Sequence, residues 1–125
     1  MTETATARKL NSALLAIKTI SGGSTGEGVN RLIYERLRLA IVSALAVQDA
    51  LSFSELKSLL DTTDGNLSMH ARKLEEAKLI RCKKTFSERT PRTEYSLTPK
   101  GRKALEVYLT HMENLVNSMK EPPRI

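Results

Sequence analysis

The stretch Asp64-Gly65-Asn66-Leu67-Ser68-Met69-His70-Ala71-Arg72-Lys73-Leu74-Glu75-Glu76-Ala77-Lys78-Leu79-Ile80-Arg81-Cys82-Lys83-Lys84-Thr85-Phe86 changes its period halfway along. In its first half Leu67, Ala71 and Leu74 recur at helical spacing, which predicts a helix to about Ala77 with those residues inward. Thr63 or Asp64 supplies its cap. From Leu79 to Phe86 the helical spacing is lost and the run reads as a strand rich in basic residues.

Upstream, Ile33, Leu37, Ala40, Ile41, Ala44 and Leu45 form a continuous stripe, the mark of a well-buried helix running to about Gln48. Ser52 and Glu55 then have capping-box spacing, and Leu51 and Leu56 that of a hydrophobic staple. They start a short helix that buries Leu56, Leu59 and Leu60 and stops at Asp61-Thr62-Thr63. Two helices joined by so short a turn make a helix-turn-helix candidate. Downstream, Thr93 to Leu97 is a second strand, and the polar segment Ser87 to Arg92 between the strands makes a hairpin with a basic tip. Thr98-Pro99 restarts a helix, with Thr as cap and Pro in the first turn. This last helix runs to about Met119, and Glu121-Pro122-Pro123 ends it. Its Leu105, Tyr108, Leu109, Met112, Leu115, Val116 and Met119 fall at a and d spacing.

At the other end, Leu10, Ala13, Leu14 and Ile17 predict an amphipathic helix over residues 5–20, followed by a Gly- and Ser-rich linker from Ser21 to Gly28. The chain thus divides into an arm and linker (1–28), a central unit (29–98) and a C-terminal helix and tail (99–125). The fold class is mainly α with a small β-hairpin (α+β), in the order helix, helix, helix, hairpin, helix behind the arm. That is the winged helix-turn-helix order.

Composition narrows the partners. The 125 residues suffice for one domain with a core, and the net charge of +6 favours an anionic partner. The single cysteine, Cys82, excludes an intrachain disulfide. No apolar run is long enough to cross a membrane, and the N-terminal stretch is broken by Asn11, Ser12 and Lys18, so no signal peptide is read. The expected compartment is the cytoplasm, with no membrane partner. Cys82, His70 and His111 are far apart in sequence, so neither a metal site nor a cofactor is expected. No phosphate loop or nucleophile–base set has credible spacing, so an enzyme is not expected either.

The run Asp64 to Ala77 followed by Leu79-Ile80 resembles the recognition helix and first wing strand of the MarR-like and ArsR-like transcriptional regulators. Pro91-Arg92-Thr93-Glu94-Tyr95-Ser96-Leu97-Thr98-Pro99-Lys100-Gly101-Arg102 looks like that family's wing and its exit into the last helix. The likeness covers roughly residues 31–116 and implies binding to double-stranded DNA. Relatives commonly carry Gly where Lys78 stands, so the resemblance implies a left-handed backbone at Lys78.

With Leu67, Ala71 and Leu74 inward, the recognition helix (64–77) turns its other side to the major groove. Asn66, Ser68, Met69 and Arg72 are the base-contact candidates, and Lys73 a phosphate contact. A solvated helix face would carry the same residue types. The hairpin decides between the two readings. From Lys78 to Lys103 the bases are Lys78, Arg81, Lys83, Lys84, Arg89, Arg92, Lys100, Arg102 and Lys103, against only Glu88 and Glu94. In the wing (81–97), Lys83 and Lys84 are expected on phosphates and Arg89 or Arg92 in the minor groove. His70 and Cys82 read as packing residues, and Tyr95 as a buried strand residue.

The last helix's stripe is longer than so small a domain needs, which predicts a homodimer seam through Leu105, Tyr108, Leu109, Met112, Leu115, Val116 and Met119. A seam of this kind has room for a small-molecule effector, but no polar cluster marks a pocket for one. The competing reading is a winged helix that serves as a protein–protein interaction module without DNA binding.

Overall fold

The computed structural model describes residue 14 and residues 32–121. Apart from Leu14, which is helical and exposed, the expected 5–20 helix and its linker lie outside the described residues, as do residues 122–125. Within 32–121 the order is α1 (Arg36–Val47), β1 (Leu51–Ser52), α2 (Phe53–Leu60), α3 (Asp64–Glu76), β2 (Ile80–Ser87), β3 (Thr90–Leu97) and α4 (Pro99–Lys120).

The helix starts were largely written in the caps. The Ser52 hydroxyl accepts from the Glu55 N–H at 3.0 Å, and the Glu55 carboxylate accepts from the Ser52 N–H at 2.9 Å. This is the reciprocal capping box read from the sequence. Thr63 caps α3, and Thr98 caps α4 with Pro99 in its first turn. The first helix differs from expectation. The stripe from Ile33 predicts one continuous helix, but Glu35 adopts extended backbone and its carboxylate accepts the Arg38 N–H. A side chain that caps its own downstream turn restarts the helix there, so α1 begins at Arg36.

The sheet has three strands in the order β1-β3-β2, all antiparallel. The sequence reading contained only the hairpin. Leu51 pairs with Tyr95 and Ser52 with Glu94, so the segment that caps α2 also adds a short third strand. The hairpin is longer than expected. Its ladder continues to Ser87 opposite Thr90, leaving a two-residue turn at Glu88-Arg89 with φ of 51° and 69°. Both central residues at positive φ match the twist of the strands, although neither is Gly or Asn. Pro91 lies inside β3 because β1 pairs only with Glu94 and Tyr95 and does not extend to it, leaving β3 an edge there, where a missing N–H is tolerated.

The core lies between the helices and the inner face of the sheet. Ile41, Val42 and Leu45 of α1 meet Leu56 of α2, Leu67, Ala71 and Leu74 of α3, and Leu79, Ile80 and Tyr95. Leu59, expected inside, is exposed; α2 turns Phe53, Leu56 and Leu60 toward the core. Ala104 and Leu105 belong to the same core, so the first half of α4 is part of the central unit.

Candidate nucleic-acid interface

α3 presents two chemically distinct sides. Leu67, Ala71 and Leu74 are buried, while Asn66, Ser68, Met69, Arg72 and Lys73 are all exposed. The five recognition-helix candidates therefore share the accessible side, as a period of 3.6 requires. The Thr63 hydroxyl accepts the Asn66 N–H at 3.2 Å, leaving the Asn66 side chain outward. Asp64 in the first turn pairs with Lys57 of α2 at 2.8 Å, tying the two helices of the corner together. An added methyl at Gly65 would meet nothing within 4 Å, so the start of α3 is open.

α3 is also held from behind. His70 Nδ1 lies 3.1 Å from Arg38 Nη1 and 3.5 Å from a Glu35 oxygen. A guanidinium only donates, so the ring nitrogen accepts from Arg38. Arg38 Nε–H donates in turn to the Leu32 carbonyl at 2.6 Å. Burial alone would raise the Glu35 carboxyl, but the Arg38 and Leu37 N–H groups and the Arg38 guanidinium hold it below its ordinary value. His70, read as a packing residue, is thus also a polar link from α1 to the recognition helix. Sequence spacing carries no signal for that link, since its partners lie 32 and 35 positions away.

The far end of α3 closes on a Schellman motif. Lys78 is left-handed at φ 64°, its N–H donates to the Glu75 carbonyl, and the Leu79 N–H donates to the Leu74 carbonyl, both at 2.9 Å. The conformation implied for Lys78 by the family's Gly is present. The Thr98 hydroxyl lies 2.7 Å from the Lys78 carbonyl and 3.0 Å from the Leu79 carbonyl, and it accepts the Gly101 N–H. Lys100 Nζ donates to the Ala77 carbonyl at 3.1 Å. A Cβ on Gly101 would collide with the Leu79 carbonyl oxygen and come within 2.7 Å of Leu97. The start of α4 is therefore pressed against the corner that aims both α3 and the wing.

On the wing, strand alternation separates residues that the sequence reading had grouped. Ile80, Cys82, Lys84 and Phe86 share the face that meets the core at its base, with Leu97, Tyr95, Thr93 and Pro91 opposite them. Lys83 points to the other face, in register with Glu94. Lys83, Lys84 and Arg89 are exposed. Arg92 is engaged by two carboxylates, with Nη2 2.7 Å from Glu55 and Nε 3.2 Å from Glu94. An open groove of about 520 Å³ lies beside it, lined by Ser52, Phe53, Ser54, Thr90, Pro91, Arg92 and Thr93. Phe86, not singled out in the sequence, is an exposed aromatic near the tip.

The C-terminal stripe is divided. Leu105 is 6% exposed within the chain's own core, and Tyr108 meets Tyr34 edge-on with ring centres 5.1 Å apart. These two are used within the chain, because the first turns of α4 cross its own α1. Leu115 is buried with Met112 against it, whereas Leu109 and Met119 are 52% and 65% exposed and Val116 is exposed beside them. Among the described residues no three His, Cys, Asp or Glu side chains form a metal-ligand group, and no helix is long and apolar enough to cross a membrane.

A helix corner with one open helix face, followed by a twisted basic hairpin, is the architecture of winged-helix proteins that bind DNA. Residues 37–116 match the winged helix DNA-binding domain family, and the chain belongs to it. Over 73 residues it is 36% identical to an uncharacterized protein of Methanocaldococcus jannaschii, a match spanning 58% of this chain and 79% of that one. The solved structure of a transcriptional regulator homologue from Pyrococcus horikoshii superposes with a TM-score of 0.72 at 26% identity, covering 86% of this chain and 99% of that one. The transcriptional regulator BldR from Sulfolobus solfataricus shares the fold, with a TM-score of 0.59 at 23% identity over 94% of this chain and 85% of its own. The winged-helix fold and the DNA-binding family expected from the sequence are borne out, and a MarR-family transcriptional regulator from Silicibacter pomeroyi, 19% identical with a TM-score of 0.54, shares the fold.

Proposed function

We propose that this protein is a transcriptional regulator that binds double-stranded DNA as a homodimer, with α3 in the major groove and the wing over the adjacent backbone and minor groove. The observation that carries the reading is the joint placement of α3 and the wing. Asn66, Ser68, Met69, Arg72 and Lys73 share one accessible helix side, and the hairpin carrying Lys83, Lys84 and Arg89 leaves from the end of that same helix. Arg72 would donate twice to guanine, and Met69 would pack on a thymine methyl. Lys73, Lys83 and Lys84 would neutralise phosphates, with Arg89 or a released Arg92 entering the minor groove.

For the dimer, Leu109, Met112, Val116 and Met119 keep a and d spacing, and all but Met112 are exposed. Two copies paired along this part of α4 would present two recognition helices to half-sites about 10 base pairs apart. A duplex partner puts the protein in the cytoplasm, with no membrane role.

One observation favours the competing protein-interaction reading: Glu55 and Glu94 already engage Arg92. Selection from a random duplex library at physiological salt separates the two. A palindromic motif supports the dimeric regulator and gives its half-site spacing. Recovery of no sequence above background contradicts it and favours the protein-interaction module.

A further inference from the structure

Phe86 is 77% exposed, and its placement sets it apart from an ordinary surface apolar residue. It stands in register with exposed Pro91, one pair below the turn residues' flanking pair Ser87 and Thr90. The two form an apolar cross-strand couple at the far end of the hairpin. They lie on the face whose base packs in the core through Ile80 and Tyr95. Lys84 precedes them on that face, and Arg89 follows in the turn. The hairpin is braced partway along by β1, which pairs with Tyr95 and Glu94.

An apolar couple between two cations complements a surface with apolar walls between two anionic rims. The minor groove of a duplex is such a surface, with walls of deoxyribose C–H groups and rims of phosphate. We propose that Phe86, backed by Pro91, is an uncharged contact of the wing, packing against the sugar walls of the minor groove while Lys84 and Arg89 meet the rims. The inference rests on the DNA-binding reading and adds to it a contact that contributes affinity without counterion release.

Its test uses the full chain and a fluorescent duplex, with affinity measured by anisotropy across a salt series and folding checked by thermal melts. Phe86→Ala is expected to weaken binding about tenfold at every salt concentration with an unchanged salt slope, the effect of losing part of a phenyl burial. Phe86→Leu should retain most of the affinity. Arg89→Ala should flatten the slope by about one unit instead. A Phe86→Ala variant that binds like the wild type overturns the inference and leaves DNA binding standing. So does one whose melt drops or whose slope changes, because Phe86 would then be acting through the fold or its charges. A wild-type chain with no duplex affinity overturns the underlying function first, and this contact with it.

Discussion

Arg92 Nη2 lies 2.7 Å from Glu55 Oε1, the same oxygen that accepts the Ser52 N–H in the capping box of α2. One carboxylate thus closes a helix start and holds a cation of the wing. To reach DNA as proposed, Arg92 would have to exchange Glu55 and Glu94 for phosphate or base edges. Glu55→Gln keeps an oxygen for the Ser52 N–H and removes the charge that competes for Arg92. Its duplex affinity is expected to rise several-fold at low salt, as anisotropy titration would register. Unchanged affinity would mean that Arg92 stays on the protein. Arg92→Ala should weaken binding to all duplexes alike and flatten the salt slope.

The left-handed backbone at Lys78 predicts a stabilising substitution. A side chain at φ 64° carries a steric cost that glycine lacks, partly offset by glycine's greater freedom in the unfolded chain. Lys78→Gly should raise unfolding stability by about 0.5–1 kcal/mol in urea titrations. A loss of stability would mean that the Lys78 side chain contributes more than its backbone costs.

Gly101 should tolerate nothing larger. Its missing Cβ is what lets α4 approach the Leu79 carbonyl, so Gly101→Ala must push α4 away from the α3–β2 corner. A loss of about 2 kcal/mol or more is expected, as for overpacked cores. Duplex affinity should fall as well, because the same corner aims the wing.

Stability should decline at both pH extremes for identifiable reasons. Burial, together with Cys82 beside it, pushes the Tyr95 phenol up to about 12 from an ordinary 10.0. A phenol raised in the fold contributes stability that is fully present below pH 10 and lost as pH rises toward 12. Tyr95→Phe should blunt that alkaline loss in denaturant midpoints measured across the window. Glu55 behaves in the opposite sense: hydrogen bonds from the Ser52 N–H and hydroxyl, and then Arg92, hold its carboxyl below 4.5. Its contribution is present above 4.5 and lost as pH falls through the lower folded value. Glu55→Gln should remove that part of the acid transition.

The proposed dimer seam predicts a separation of assembly from folding. Leu109→Glu and Met119→Lys change exposed positions, so the monomer should keep its melting profile while sedimentation shows loss of the dimer. Binding to a palindromic site should then fall far more than binding to a half-site. Leu105→Glu, buried in the chain's own core, should unfold the protein instead.

Local chemistry explains what the sequence disclosed. Ser52, Thr63 and Thr98 announce helix starts because the cap is made by residues three positions apart. Leu67, Ala71 and Leu74 orient α3 because a helix period survives in a single segment. Long-range pairing left no such trace. Leu51–Ser52 is too short to show a strand period, and it becomes a strand only because Tyr95 and Glu94 are brought alongside it. The Arg38–His70 link and the Arg92–Glu55 pair join residues more than thirty positions apart. The stripe on α4 was legible as apolar, but its division between the chain's own core and an exposed remainder depends on where α1 crosses it.

The most direct test of DNA binding through α3 and the wing is duplex affinity measured from about 50 to 200 mM salt, a range in which six to ten phosphate contacts cost on the order of a thousandfold or more. The expected result is a linear log–log fall of that steepness, reduced by about one unit for each of Lys73→Ala, Lys84→Ala and Arg89→Ala. Absent duplex affinity, or affinity that does not respond to salt, would contradict it.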